Sequence, residues 1–181
     1  MNRGFLLLLV LWCGIVVASE DLDLALQAAA RGGQVERLQS LLAQGANPDA
    51  ANPQGRTPLM GATFMGNLGV MRALLAAGAS VDAQDHQQDT ALLIAVSLGD
   101  IRTVRLLMDA GADLNAKNAR GESSLTLASR PGAEEIARLL TDNGAVDQKK
   151  LAEEKKKAEE KKKADEEAAA AKKKAEEEKK E

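Results

Sequence analysis

The sequence predicts an all-α repeat solenoid of four helix pairs, followed by a charged single helix or disordered tail, and three observations carry that expectation. Gly-Ala pairs stand at Gly45-Ala46, Gly78-Ala79, Gly111-Ala112 and Gly144-Ala145, a constant period of 33 residues. The same frame aligns Leu26, Leu59, Leu92 and Leu125; Ala29, Ala62, Ala95 and Ala128; Gly33, Gly66, Gly99 and Gly132; and Leu41, Leu74, Leu107 and Leu140. A fixed period holding small and apolar residues in register marks one supersecondary unit repeated and stacked. The 181 residues, 45% hydrophobic and 28% charged, leave room for one such domain plus appendages.

The first element, residues 1–19, reads as an address. Met1 to Gly4 is a short basic start, Phe5 to Val17 is apolar apart from Gly14, and Val16 and Ala18 place small residues at −3 and −1 of a cut. This is the pattern of a secretory signal peptide. Thirteen residues at 1.5 Å each span only about 20 Å, short of the ~30 Å hydrocarbon core, so a stable membrane anchor is disfavoured. Cys13 is preceded by the bulky Trp12, which disfavours lipid attachment there. The expected mature chain begins at Ser19 or Glu20, lies in the periplasm or outside the cell, and contains no cysteine, which suits an oxidising compartment.

Residues 20–148 form the repeat body. The inner helices are expected over Leu22 to Ala30, Pro58 to Met65, Ala91 to Leu98 and Ser124 to Arg130. In the second unit Thr57 is placed to cap a helix with its hydroxyl, Pro58 suits the first helical turn, and Gly66 ends the helix. Leu68, Met71, Leu74 and Leu75 then make an apolar stripe at helical spacing, closed by Gly78. The polar stretches Asn47 to Arg56, Ser80 to Asp89 and Asp113 to Glu122 read as projecting turns. The last unit has Glu134 and Thr141 where earlier units are apolar, as the polar outer face of a terminal cap requires.

The tail, residues 149–181, has Leu151 as its only large apolar residue and cannot build a core. Its composition favours helix, with Glu153–Lys157, Glu159–Lys163 and Glu176–Lys180 in the favourable order four apart. The alanines from Ala164 to Ala175 make a weak coiled-coil seam, and interleaved acids oppose a lysine-driven contact with polyanions. The tail is expected to add helix without adding stability to the body. Its composition resembles the Lys/Glu/Ala spacer helices of bacterial envelope proteins.

Charge and aromatic content narrow the function. Residues 20–148 carry 10 basic and 16 acidic side chains, the chain has no Tyr, and Phe64 is the only aromatic after the N-terminal segment. Such a surface is poorly equipped to stack on bases or draw in polyanions, so nucleic acid is not an expected partner. His86 is the only histidine, in a turn between Asp85 and Asp89, and no phosphate loop, nucleophile elbow or metal-spaced pair of ligands accompanies it. No enzyme activity, metal or cofactor is expected; an enzyme or metal-dependent factor built on His86 is the alternative.

The periodic residues identify the body as similar to the ankyrin repeat family. Thr57-Pro58-Leu59 with Ala62 and Gly66, the stretch Asn52-Pro53-Gln54-Gly55-Arg56-Thr57, and Leu74-Leu75-Ala76-Ala77-Gly78-Ala79 carry the resemblance, which covers about Leu22 to Val146. Two departures matter. Met60, Leu93 and Thr126 replace the histidine usual after Thr-Pro-Leu, and Gln88 stands where Gly55 and Gly121 occupy the turn, which implies a strained positive-φ residue or an altered turn.

The protein is expected to be a monomer, and the resemblance implies a protein-binding module whose contacts lie beside the turn glycine and at the end of the inner helix. Those positions are Gln54, Arg56, His86, Gln87, Asp89, Arg120 and Glu122 on the turns, and Arg31, Phe64, Met65, Ser97, Leu98 and Arg130 on the helices. Inner helices that pack through alanines would be crowded by a buried aromatic, so Phe64, Met65 and Leu98 are expected to form an exposed apolar anchor ringed by Arg56, Arg120 and Arg130. An inhibitor or immunity protein for an envelope enzyme, and a chaperone-like helper, are roles within this class.

Overall fold

A computed structural model describes residues 21–146 and 155–163. The chain divides into two units, Met1–Ala145 and Val146–Glu181. The signal segment, its cleavage point and the coiled-coil seam from Ala164 lie outside the described residues.

Among the described residues of the first unit, eight helices alternate with tight turns: α1 (21–31), α2 (Val35–Ala43), α3 (Pro58–Phe64), α4 (Leu68–Ala76), α5 (Ala91–Leu98), α6 (Ile101–Asp109), α7 (Ser124–Ala128) and α8 (Glu134–Asp142). The inner helices α3, α5 and α7 pack on one another in turn, each against its own outer helix (α4, α6 and α8), and α2 packs on α4 and α6 on α8, so helix pairs pack on their neighbours in sequence. Among the described residues the only sheet-type pairing is an isolated antiparallel bridge between Lys117 and Ser123.

Local chemistry sets the helix boundaries. Thr57, Thr90 and Ser123, one period apart, accept hydrogen bonds through their hydroxyl oxygens from the amides of Met60, Leu93 and Thr126 at 3.4, 3.3 and 3.4 Å. Each satisfies an N–H that the first helical turn leaves without a backbone partner. Gly66 closes α3 with φ +67°, where a side chain would be strained. Asn67 is spent differently: its Nδ2 donates to the Ala30 and Arg31 carbonyls at 3.3 and 3.2 Å and ties the end of α1 to the next repeat.

The period also sets the core. Leu26, Leu59 and Leu92, the four frame alanines, and Leu41, Leu74, Leu107 and Leu140 are buried, while Leu125 of the last unit is only half-buried. Glu134 and Thr141 are exposed on α8, as a terminal cap requires.

Three expectations are corrected. The inner helix expected to reach Met65 ends at Phe64, with Met65 as its C-cap. The one expected to reach Arg130 stops at Ala128. Pro131 disfavours helical backbone at Arg130, and the Ser129 hydroxyl closes the end by donating to the Leu125 carbonyl at 2.9 Å. In the second unit the described residues 155–163 form one exposed helix, α9, and the pair in reach is Lys156–Glu160 at 3.9 Å rather than Glu159–Lys163. An exposed pair of that length contributes little.

Candidate protein-binding surface

The turns are built on one residue per repeat. Asn52 Oδ1 accepts from the amides of Gln54 and Arg56, Asp85 Oδ1 from those of Gln87 and Asp89, and Asn118 Oδ1 from those of Arg120 and Glu122, all within 2.8 to 3.1 Å. A short side chain that accepts two amides stands in for backbone pairing and fixes the turn. Successive tips are then joined through the main chain: His86 N–H donates to the Gln54 carbonyl at 3.1 Å and Ala119 N–H to the Gln87 carbonyl at 2.8 Å.

Side chains reinforce the same seam. Arg56 Nε lies 3.2 Å from Asp85 Oδ2, and Asp85 is almost fully buried while Arg56 is half-exposed. Asn118 Nδ2 donates to Asp89 Oδ1 and to Glu122 Oε2, both at 3.1 Å. Hydrogen bonds from Asn118 and then from Arg120, whose Nε is 2.7 Å away, hold the Glu122 carboxyl below its ordinary value. Arg130 reaches Glu122 only at 4.0 Å and Ser97 Oγ at 3.5 Å. Gln27 Nε2 donates to the carbonyls of Ala50 and of Arg56, the latter at 2.9 Å, and so fastens the first turn to α1.

Between the turns and the inner helix ends runs an open groove of about 250 Å³. Buried Met60 and Leu93, half-buried Ile94 and buried Leu127 contribute apolar surface to it. Phe64, Met65 and Leu98 are 60%, 56% and 49% exposed, in a body that otherwise buries most of its large apolar side chains. Arg31, Arg56, Asp89, Ser97 and Arg120 complete the lining together with Gln27, Asn52, Thr57 and Gly61. Arg31 belongs to α1, and its stem crosses the bare face of Gly61, its Cγ 3.1 Å from where a Cβ would sit.

Eight of the thirteen residues singled out in the sequence therefore meet at one groove: Arg31, Arg56, Phe64, Met65, Asp89, Ser97, Leu98 and Arg120. Glu122 and Arg130 attach at its edge through the contacts with Arg120 and Ser97. Gln54, His86 and Gln87 sit at the turn tips, outside the groove lining. The His86 ring packs over Gly55, with Cδ2 2.7 Å from the position a Cβ would take there. Among the described residues no three His, Cys, Asp or Glu side chains converge as metal ligands. Sequence spacing does not mark Met60, Leu93, Ile94 and Leu127 as groove residues, although the apolar replacements of the family histidine at Met60 and Leu93 signal an apolar floor.

Stacked helix pairs, paired turn tips and an apolar groove between them define a repeat-protein binding scaffold. The profile described as ankyrin repeats (3 copies) matches residues 2–85 and 77–150, and the chain belongs to the ankyrin repeat family, whose members are generally protein-interaction modules. Comparison with curated proteins gives no match. Among the described residues no helix is long and apolar enough to cross a membrane.

Proposed function

We propose that this protein is an exported, monomeric binding module that holds one protein partner in the groove on its concave face. The observation that carries this reading is the exposed Phe64, Met65 and Leu98 group, set beside the buried apolar floor and bordered by Arg31, Arg56, Arg120 and Arg130. Water-exposed aromatic and methionine side chains next to a preformed groove offer a large apolar area for a partner to cover, and aromatic residues, methionine and arginine are enriched in such interfaces. Export to the periplasm or the exterior rests on the N-terminal address in residues 1–19. The charged tail, a single helix or a disordered segment by its composition, serves as a spacer rather than a second recognition surface.

Site-specific photocrosslinking tests the location. A crosslinker at Leu98 should capture a partner in the exported fraction, and the same group at Thr141 on the exposed face of α8 should not. Equal capture at both positions, or capture at Thr141 alone, would move the interface off the groove. N-terminal sequencing of the exported form should begin at Ser19 or Glu20; an intact Met1 form in the membrane fraction would contradict cleavage.

A further inference from the structure

The helix-end column of the concave face reads Arg31, Phe64, Ser97, Arg130, one residue per repeat, with Met65 and Leu98 beside the middle pair. Its centre is therefore apolar and each end is a cation. Of the carboxylates nearby, Asp85 and Glu122 are paired with Arg56 and Arg120, while Asp89, among the described residues, accepts only from the neutral amide of Asn118 and keeps its charge at the middle of the groove. Among the described residues Arg31 has no ion pair, and Arg130 has only the 4.0 Å approach to Glu122. The unspent positive charge of this face thus lies at the two ends of the column, and complementary charge steers and orients a partner.

We infer that the groove receives an extended protein segment with large apolar side chains at its centre and a carboxylate toward each end. This deepens the reading above and rests on it. Three helix-pair spacings of about 8 to 10 Å separate the backbones of residues 31 and 130, roughly 25 to 30 Å. The Arg31 stem leans over Gly61 and Arg130 Nη1 lies 3.5 Å from Ser97 Oγ, each toward the neighbouring inner repeat, so the two carboxylates stand closer than that and the segment between them is shorter than about eight residues at about 3.3 Å per extended residue.

A displayed random dodecapeptide library panned on the full chain tests this. Enriched sequences should carry Asp or Glu on both sides of an apolar stretch. A synthetic peptide of that consensus should bind about tenfold more weakly to the double variant Arg31→Glu, Arg130→Glu, and its affinity for the wild-type chain should fall with added salt. Panning on the double variant should instead enrich Lys or Arg at the ends. Phe64-dependent peptides without acidic ends, or equal affinity for the double variant, would overturn the inference and leave the groove reading standing. Enriched peptides whose binding is unchanged by Phe64→Ala would overturn both.

Discussion

Gln88 takes φ +59° at the turn position where Gly55 and Gly121 take +77° and +75°. The turn keeps its shape because Asp85 still accepts the amides of Gln87 and Asp89, and the strain of a left-handed side chain is tolerated. Gln88→Gly should therefore stabilise the body by about 0.5 to 1 kcal/mol, offset in part by the freer unfolded chain, as read from the shift of a urea unfolding midpoint. Gly55→Ala should cost more than Gly121→Ala, because a Cβ at Gly55 meets His86 while nothing lies within 4 Å of one at Gly121. Glu122 supplies an acid dependence. Its carboxyl titrates below the ordinary value of 4.5, so its stabilisation is present above that pH and is lost as pH falls through the lowered value. The stability difference between wild type and Glu122→Gln, followed by urea titration, should shrink as pH drops below 4.5.

At the scale of the element, the caps explain what could be read in advance. Thr57, Thr90 and Ser123 show in the sequence as hydroxyls at a fixed distance before the inner apolar residues, and the helices start behind them. Helix ends were less legible: α7 is shortened by Pro131, a residue with no counterpart in the other repeats. The outer helices also differ in a way that period alone conceals. Asp100 caps α6 through the amides of Arg102 and Thr103 and accepts from the Thr103 hydroxyl at 2.8 Å, whereas the frame-related Gln34, Asn67 and Ala133 make no side-chain cap. Burial pushes the Asp100 carboxyl up, but the combined hydrogen bonds from Thr103 and Arg102 leave it below its ordinary value. Asp100→Ala should cost about 1 kcal/mol in thermal or urea unfolding, the usual scale for a lost cap. The site divides along the same line. Helix-end positions such as Phe64, Met65 and Leu98 were legible because they escape the buried register. The pairings of Arg56 with Asp85 and of Asn118 with Asp89 depend on how successive turns stack, which spacing along one chain does not encode.

For the whole molecule, stability is distributed among neighbouring repeats, because each helix pair packs on those adjacent to it in sequence. Leu74, fully buried in the second repeat, is a point where that packing is concentrated, and Leu74→Ala should cost roughly 2 to 5 kcal/mol of unfolding free energy. Phe64 should behave in the opposite way, since its side chain is mostly in water and contributes little to the packing of the body, while the proposed function assigns it to the interface. The most direct measurement is therefore a paired one on Phe64→Ala: melting temperature alone, and affinity for the partner recovered by groove crosslinking. The predicted result is a nearly unchanged melting temperature with binding weakened by about 2 kcal/mol. A strongly destabilised body with unaltered affinity would contradict it, placing Phe64 in the service of the fold and the interface at the turn tips.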